Sequence, residues 1–155
     1  MLPVRKNPRL KGYDYSLAGC YFVTIVAQDR FCLFGHITDG IIDLAPEGIY
    51  IQKWLDKIPD HYPNAHVLTS VIMPNHLHVI IQIEESERKS ALSQVVAYFK
   101  YQTTRDICIF RGMKFRVWQR NYYDHIIRDE EEHRRISEYI KQNPTNWEED
   151  SEFVN

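Results

Sequence analysis

The chain has 155 residues, 44% hydrophobic and 13% aromatic, which suits one domain with a substantial core, and its formal net charge of -2 carries no global signal for a polyanionic partner. Its apolar runs fall far short of the roughly 20 residues a membrane helix needs, and the N-terminal MLPVRKNPRLKGYDY lacks the apolar block of a secretory signal. Cys20, Cys32 and Cys108 are odd in number, widely spaced and without a CxxC pair, which argues against a disulfide framework or structural zinc and predicts buried thiols in a cytosolic, membrane-free protein.

In chain order, residues 1–15 are a basic arm with Arg5, Lys6, Arg9 and Lys11 and no acid before Asp14. Cys20–Ala27 is dense in aromatic and β-branched residues and predicts a central strand. Leu33–Ile37 and Ile41–Leu44, split by Asp39-Gly40, predict a small hairpin. Residues 45–57 change period: Ile49, Ile51, Trp54, Leu55 and Ile58 share one helical face, with Pro46 in the first turn and Pro59 expected just past the end. Val67–Met73 and His76–Ile83 predict an antiparallel pair about the Pro74-Asn75 corner, forming the centre of the sheet. Leu92, Val95, Val96, Phe99 and Thr103 mark a second helix whose other face presents Lys100, Tyr101 and Arg105. Phe115–Arg128 predicts a further strand with an irregular entry. Asp129, with Glu132 three residues on, is a helix N-terminal signature, Pro144 marks the helix end, and Ile136, Tyr139, Ile140 and Asn143 are the inward positions. Residues 145–155 read as an acidic tail anchored by Trp147.

The order strand, helix, strand, strand, helix, strand, helix predicts a single α+β domain over residues 1–155, ferredoxin-like or RRM-like, with a mostly antiparallel sheet and helices packed on it. Charge is uneven along it. Residues 88–120 carry eight bases against Asp106 alone, a balance of +7, whereas the chain from 129 onward has a balance of -6. A polyanion would therefore dock on the middle third, with Lys100, Arg105, Arg116 and Arg120 as phosphate contacts and Tyr101 or Trp118 as base-stacking groups. The arm residues Arg5, Lys6, Arg9 and Lys11 could read a hairpin stem or groove.

The stretch Met73-Pro74-Asn75-His76-Leu77-His78-Val79-Ile80-Ile81-Gln82-Ile83 organises the rest. Strand alternation puts Leu77, Val79, Ile81 and Ile83 on a core face and His76, His78, Ile80 and Gln82 on a partly polar one. Imidazoles two residues apart are separated by roughly 6.6 Å of strand rise, so both reach one metal ion. Tyr139 and Asn143, i and i+4 on the last helix, project to one side and could add a phenol and an amide oxygen. Taken alone, the histidine pair also suits a polar surface feature, and Tyr139 a core tyrosine.

The motif around His76 and His78 resembles the histidine-hydrophobic-histidine (HUH) motif of the single-tyrosine, IS200-like transposases, in particular their REP-associated branch. Further blocks match in order: Asp14-Tyr15-Ser16 with Tyr21-Phe22-Val23-Thr24, then Phe99-Lys100 with Thr104-Arg105, then residues 117–128, VWQRNYYDHIIR, then Tyr139-Ile140-Lys141-Gln142-Asn143-Pro144. The resemblance implies that His76 and His78 hold a divalent ion, magnesium or manganese, that Tyr139 is the nucleophile, and that Asn143 is the third ligand. Related enzymes often have glutamine at that last place, so Gln142 is a less well-phased substitute. It implies cleavage and rejoining of single-stranded DNA next to a hairpin, through a 5′-phosphotyrosine link, by a monomer or a dimer. Two other classes fit the same residues: a non-catalytic single-stranded nucleic-acid-binding module, and a metal-dependent hydrolase using activated water.

Overall fold

The structure is a computed structural model that describes residues 18–85 and 91–154, so the arm residues Arg5, Lys6, Arg9 and Lys11 lie outside the described residues. The elements are β1 (Gly19–Val26), β2 (Gly35–Thr38), β3 (Ile41–Leu44), α1 (Pro46–His61), β4 (Ala65–Met73), β5 (His76–Ile83), α2 (Leu92–Arg111), β6 (Tyr123–Ile127) and α3 (Glu130–Gln142). The main sheet has the order β4-β5-β1-β6 and every pairing in it is antiparallel, which is the expected α+β architecture. The hairpin strand β5 is central, but its companion β4 is an edge strand, and β1 is the second central strand.

Alternation along β1 and β5 divides the core in two. Tyr21, Val23, Ile25, Leu77, Val79, Ile81 and Ile83 face the larger cluster, where α1 supplies Ile51, Trp54, Leu55 and Ile58 and α2 supplies Leu92, Val95, Val96, Phe99 and Ile107. Phe22 and Ile80 face the other way, under Ile136 and Ile140 of α3. The α3 start is fixed by Asp129, whose carboxylate accepts from the Glu132 backbone N–H at 2.8 Å, while the Glu132 carboxylate accepts from the Arg128 N–H at 3.0 Å. At the end of α2, Gly112 takes φ 69°, a left-handed cap that suits glycine. The β2–β3 turn uses Asp39 at φ 52° and Gly40 at φ 74°, the positive pair a two-residue hairpin needs.

Several expectations are corrected. The helix α1 runs through Pro59 to His61, because proline removes one hydrogen bond near the end of a helix that buried Ile58 already anchors, and the Tyr62 N–H still reaches the Ile58 carbonyl at 2.8 Å. Ile49 is 59% exposed, off the buried stripe. The predicted strand over 115–128 is broken in two: Trp118 makes one bridge to Ala27, and only Tyr123–Ile127 rejoins the ladder. At the break the Lys100 ammonium donates to the Gln119 and Arg120 carbonyls at 2.7 and 3.1 Å, while the Gln119 N–H still reaches the Val26 carbonyl of β1 at 2.8 Å. Among the three thiols, Cys32 is exposed and Cys20 and Cys108 are partly covered, so none is fully buried. No helix among the described residues is long and apolar enough to cross a membrane.

Candidate active site

His76 and His78 point away from the larger core, beneath α3, on the partly polar face that alternation predicts, and both are buried, at 0% and 5% exposure. Their Nε2 atoms converge to 3.1 Å, and each Nδ1 is engaged from behind: His76 Nδ1 lies 2.8 Å from Asn75 Oδ1, and His78 Nδ1 lies 2.8 Å from Thr24 Oγ1. Thr24 is the register partner of His78 across β1 and β5. Ring nitrogens held from behind, with the others aimed at one point, are the outer-shell arrangement that metal-ligating histidines adopt.

The third group at that point is Asp150, whose Oδ2 lies 3.3 Å from His76 Nε2 and 3.9 Å from His78 Nε2. One donor atom from each of His76, His78 and Asp150 falls within 4.8 Å of the others, so the three could hold a metal ion. Two imidazoles and a carboxylate suit a borderline divalent cation. Asn143, at 2% exposure, is also drawn in: its amide N–H donates to Asp150 Oδ2 at 2.7 Å, and its own Oδ1 is buried with no hydrogen-bond partner among the described residues. A buried carbonyl of this kind is satisfied by a water or an ion.

The segment carrying Asp150 is tied down along its length. Trp147 lies over His76 with ring centroids 6.0 Å apart and meets Phe153 at 5.1 Å, so it anchors the tail as expected. The Glu152 backbone N–H donates to Asp150 Oδ1 at 2.8 Å, its carboxylate pairs with Arg30 at 3.0 Å, and its carbonyl accepts from Asn75 Nδ2 at 2.7 Å.

Tyr139, one turn before Asn143 on α3, stands edge-on to His78 at 5.5 Å and to Phe22 at 6.3 Å between ring centroids. A single chain thus brings the tyrosine and the histidine pair together. Burial, followed by the charges of Asp150 and Glu152, pushes the Tyr139 hydroxyl up to about 12. Burial, followed by the neighbouring His76, pushes His78 down to about 4, against the opposing pull of Asp150. Burial works against ionisation of Asp150, but its hydrogen bonds to His76 and His78 outweigh that and hold the carboxyl far below the usual range.

The basic residues fall elsewhere. Lys100, Tyr101, Thr104, Arg105, Arg116 and Arg120 lie along an open groove of about 1000 Å³ between α2 and the 113–120 segment. Arg116, Gln119 and Arg120 also line a smaller hollow with Gln28, Asp29 and Arg30, and Arg30 in turn pairs with Glu152 at 3.0 Å. Tyr101 is 65% exposed, whereas Trp118 is buried and donates its indole N–H to Thr103 Oγ1 at 2.9 Å, so Trp118 is a core residue and not a stacking platform. Arg105 turns toward α1, 3.3 Å from Asp106 and over the Trp54 ring at 5.8 Å. Lys100 is half-buried, and burial, then Arg116, lowers its pKa.

Sequence reasoning missed Asp150, Asn75 and Thr24. Asp150 lies in an acidic tail with no periodicity, Asn75 stands at a turn with no helical or strand spacing to mark its side chain, and Thr24 becomes visible only through strand register.

The family model described as "Transposase IS200 like" matches residues 49–143. A Haemophilus influenzae protein described only as uncharacterized is 37% identical, covering 97% of this chain and 93% of its own. A second protein of that organism, "Putative REP-associated tyrosine transposase", is 32% identical over 84% of this chain and 73% of its own. Among solved structures, a REP-associated tyrosine transposase bound to a REP hairpin superposes with a TM-score of 0.64 at 22% identity, covering 95% of this chain and 74% of that one. A "putative transposase" from Deinococcus radiodurans superposes with a TM-score of 0.53 at 15% identity, covering 86% and 95%.

Proposed function

The chain belongs to the IS200-like transposases, in their REP-associated branch, and from that premise we propose that it cleaves and rejoins single-stranded DNA beside a hairpin, with Tyr139 as the nucleophile. The observation that carries this reading is the position of the Tyr139 ring, 5.5 Å from that of His78 above two converging imidazole nitrogens. In the forward step the Tyr139 oxygen bonds to the scissile phosphorus, the bond from phosphorus to the 3′-oxygen breaks, the phenol gives up its proton, and the departing 3′-oxygen takes one. The product is a 5′-phosphotyrosine with a free 3′-hydroxyl. Because the phosphodiester energy is retained in that link, a second 3′-hydroxyl reverses the step without ATP.

His76 and His78 are the ligands we assign to a divalent cation, with Asp150 or Asn143 as the third; Asn143 reaches that role by turning its orphaned Oδ1 toward the site. A cation held there supplies positive charge for a non-bridging phosphate oxygen as negative charge builds in the transition state. Imidazole ligands favour manganese over magnesium, which prefers oxygen donors. Burial, and after it the acids Asp150 and Glu152, keeps the Tyr139 hydroxyl protonated at rest, and a cation held by the histidines would offset those acids.

Arg116 and Arg120, with exposed Tyr101, supply the path for the strand, and Arg30 continues that path to the site. The basic arm residues Arg5, Lys6, Arg9 and Lys11 are the proposed contacts to the hairpin stem. We place the enzyme in the cytosol, where its DNA substrate is found.

The test incubates the protein with a library of hairpins bearing single-stranded flanks, plus Mn2+, and looks for a protein–DNA adduct that survives denaturation. We expect an adduct mapping to Tyr139, absent from Tyr139→Phe and from His76→Ala, with DNA binding retained by Tyr139→Phe. Binding without an adduct across the library, with either metal, overturns the enzyme and puts the binding module in its place.

A further inference from the structure

The side-chain amide of Asn75 is fully buried, and its orientation is fixed by what surrounds it. Its nitrogen faces two backbone carbonyls, that of Glu152 at 2.7 Å and that of Arg30 at 3.3 Å. Carbonyls only accept, so the NH2 end of the amide must lie there and Oδ1 must be the end that faces His76. An amide oxygen also only accepts. The contact of 2.8 Å between His76 Nδ1 and Asn75 Oδ1 therefore requires the hydrogen to sit on Nδ1, and the neutral His76 ring then carries its lone pair on Nε2.

That nitrogen is the one aimed at Asp150, 3.3 Å away. A lone pair and a carboxylate oxygen at that separation repel unless a proton or a cation lies between them. The state of the His76 ring thus follows from one amide.

We propose that Asn75 is a positioning residue, which locks His76 in the tautomer that offers Nε2 to the metal and, through the same amide, ties that tautomer to the segment carrying Asp150. The inference rests on the reading of His76 as a ligand. It goes further by assigning a role to a residue that touches neither metal nor DNA. Thr24 differs from Asn75 in kind: its hydroxyl, 2.8 Å from His78 Nδ1, can donate or accept, so it tolerates either tautomer of His78 and dictates neither. The two histidines are consequently unequal: Asn75 presets His76 from behind, whereas His78 takes its state from what lies at its Nε2, 3.1 Å from His76 Nε2.

The experiment uses the full-length chain labelled with 15N-histidine. Two-bond 15N–1H correlation spectra of the metal-free protein report which ring nitrogen carries the proton, and a Mn2+ titration gives the affinity. We expect His76 in the wild type to be protonated at Nδ1, and Asn75→Ala to lose that preference and to bind Mn2+ roughly 10–100-fold more weakly. A wild-type His76 protonated only at Nε2 overturns the proposal, and so does an Asn75→Ala chain with unchanged tautomer and unchanged affinity. A wild type with the expected tautomer that takes up no Mn2+ supports the assignment of Asn75 and instead overturns the metal reading of His76.

Discussion

The two faces of the sheet are made from the same strands and have opposite characters. Toward α1 and α2, β1 and β5 send Tyr21, Val23, Ile25, Leu77, Val79, Ile81 and Ile83 into a continuous apolar cluster. Toward α3 they send Phe22 and Ile80 into a small apolar patch, and Thr24, His76 and His78 into a buried polar network. Successive residues of a strand point to opposite faces, so Leu77 stabilises the domain while its neighbours on either side can carry chemistry. Rigidity on one face holds geometry on the other. The histidines sit on central β5, paired to β4 and β1 on both sides, and not on a loop.

The sharpest way to break that comparison is a reciprocal pair of substitutions. Tyr139→Phe should abolish the adduct while changing stability by less than about 1 kcal/mol, since only a hydroxyl is removed. Leu77→Ala should do the reverse, costing about 2–5 kcal/mol in chemical denaturation while the fraction still folded binds Mn2+ as before. If Leu77→Ala left stability intact, or Tyr139→Phe unfolded the chain, the division of labour between the faces would fail.

Acidification separates the faces next. His78 has its folded value near 4, below the ordinary histidine value of 6.5, so between these limits the unfolded chain binds the extra proton and stability falls as pH falls. On the other face Asp106 accepts from the Trp54 indole N–H at 2.8 Å and from the Lys53 ammonium at 3.0 Å. Burial opposes its ionisation, but those donors win and lower its pKa from 3.8, so its contribution is lost only as pH falls below that value. Bringing the metal-free chain to about pH 5 should therefore raise amide exchange in α3 and residues 147–153 while α1 and α2 stay protected. Equal loss in both would contradict it.

Smaller effects test the edges of each face. Arg120→Ala should weaken DNA binding at every sequence and reduce the salt-dependence slope by about 1, without touching the melting temperature. Asp129→Ala removes the α3 cap and should cost about 1 kcal/mol, visible as a lower melting temperature and a slightly weaker Tyr139 function.

The difference between the faces also explains what could be read in advance. The α1, α2 and β5 patterns are amphipathic signals in which burial repeats with the period of the element, and Leu77, Val79, Ile81 and Ile83 are all buried as alternation requires. Tyr139 and Asn143 could be paired because helical spacing is local. The irregular entry to the strand over 115–128 was legible, but not where the ladder breaks, at carbonyls that accept from Lys100 of α2. Trp118 looked like a stacking group because composition does not distinguish a core indole from an exposed one.

The sequence by itself determined the element order, the histidine pair on a strand, the tyrosine one turn from an asparagine, and the family these blocks resemble, because all of these are set by local periodicity and short-range spacing. Tertiary structure alone decided that Asp150 returns from the acidic tail to His76, that Thr24 stands opposite His78, and that Asn75 fixes which imidazole nitrogen is offered. Asp150 and Thr24 lie more than fifty residues from the histidines they meet, and what the amide of Asn75 offers His76 beside it is settled by the carbonyls of Glu152 and Arg30, again distant in the chain. A buried polar group takes its meaning from the partners that satisfy it, and those partners are chosen by the fold.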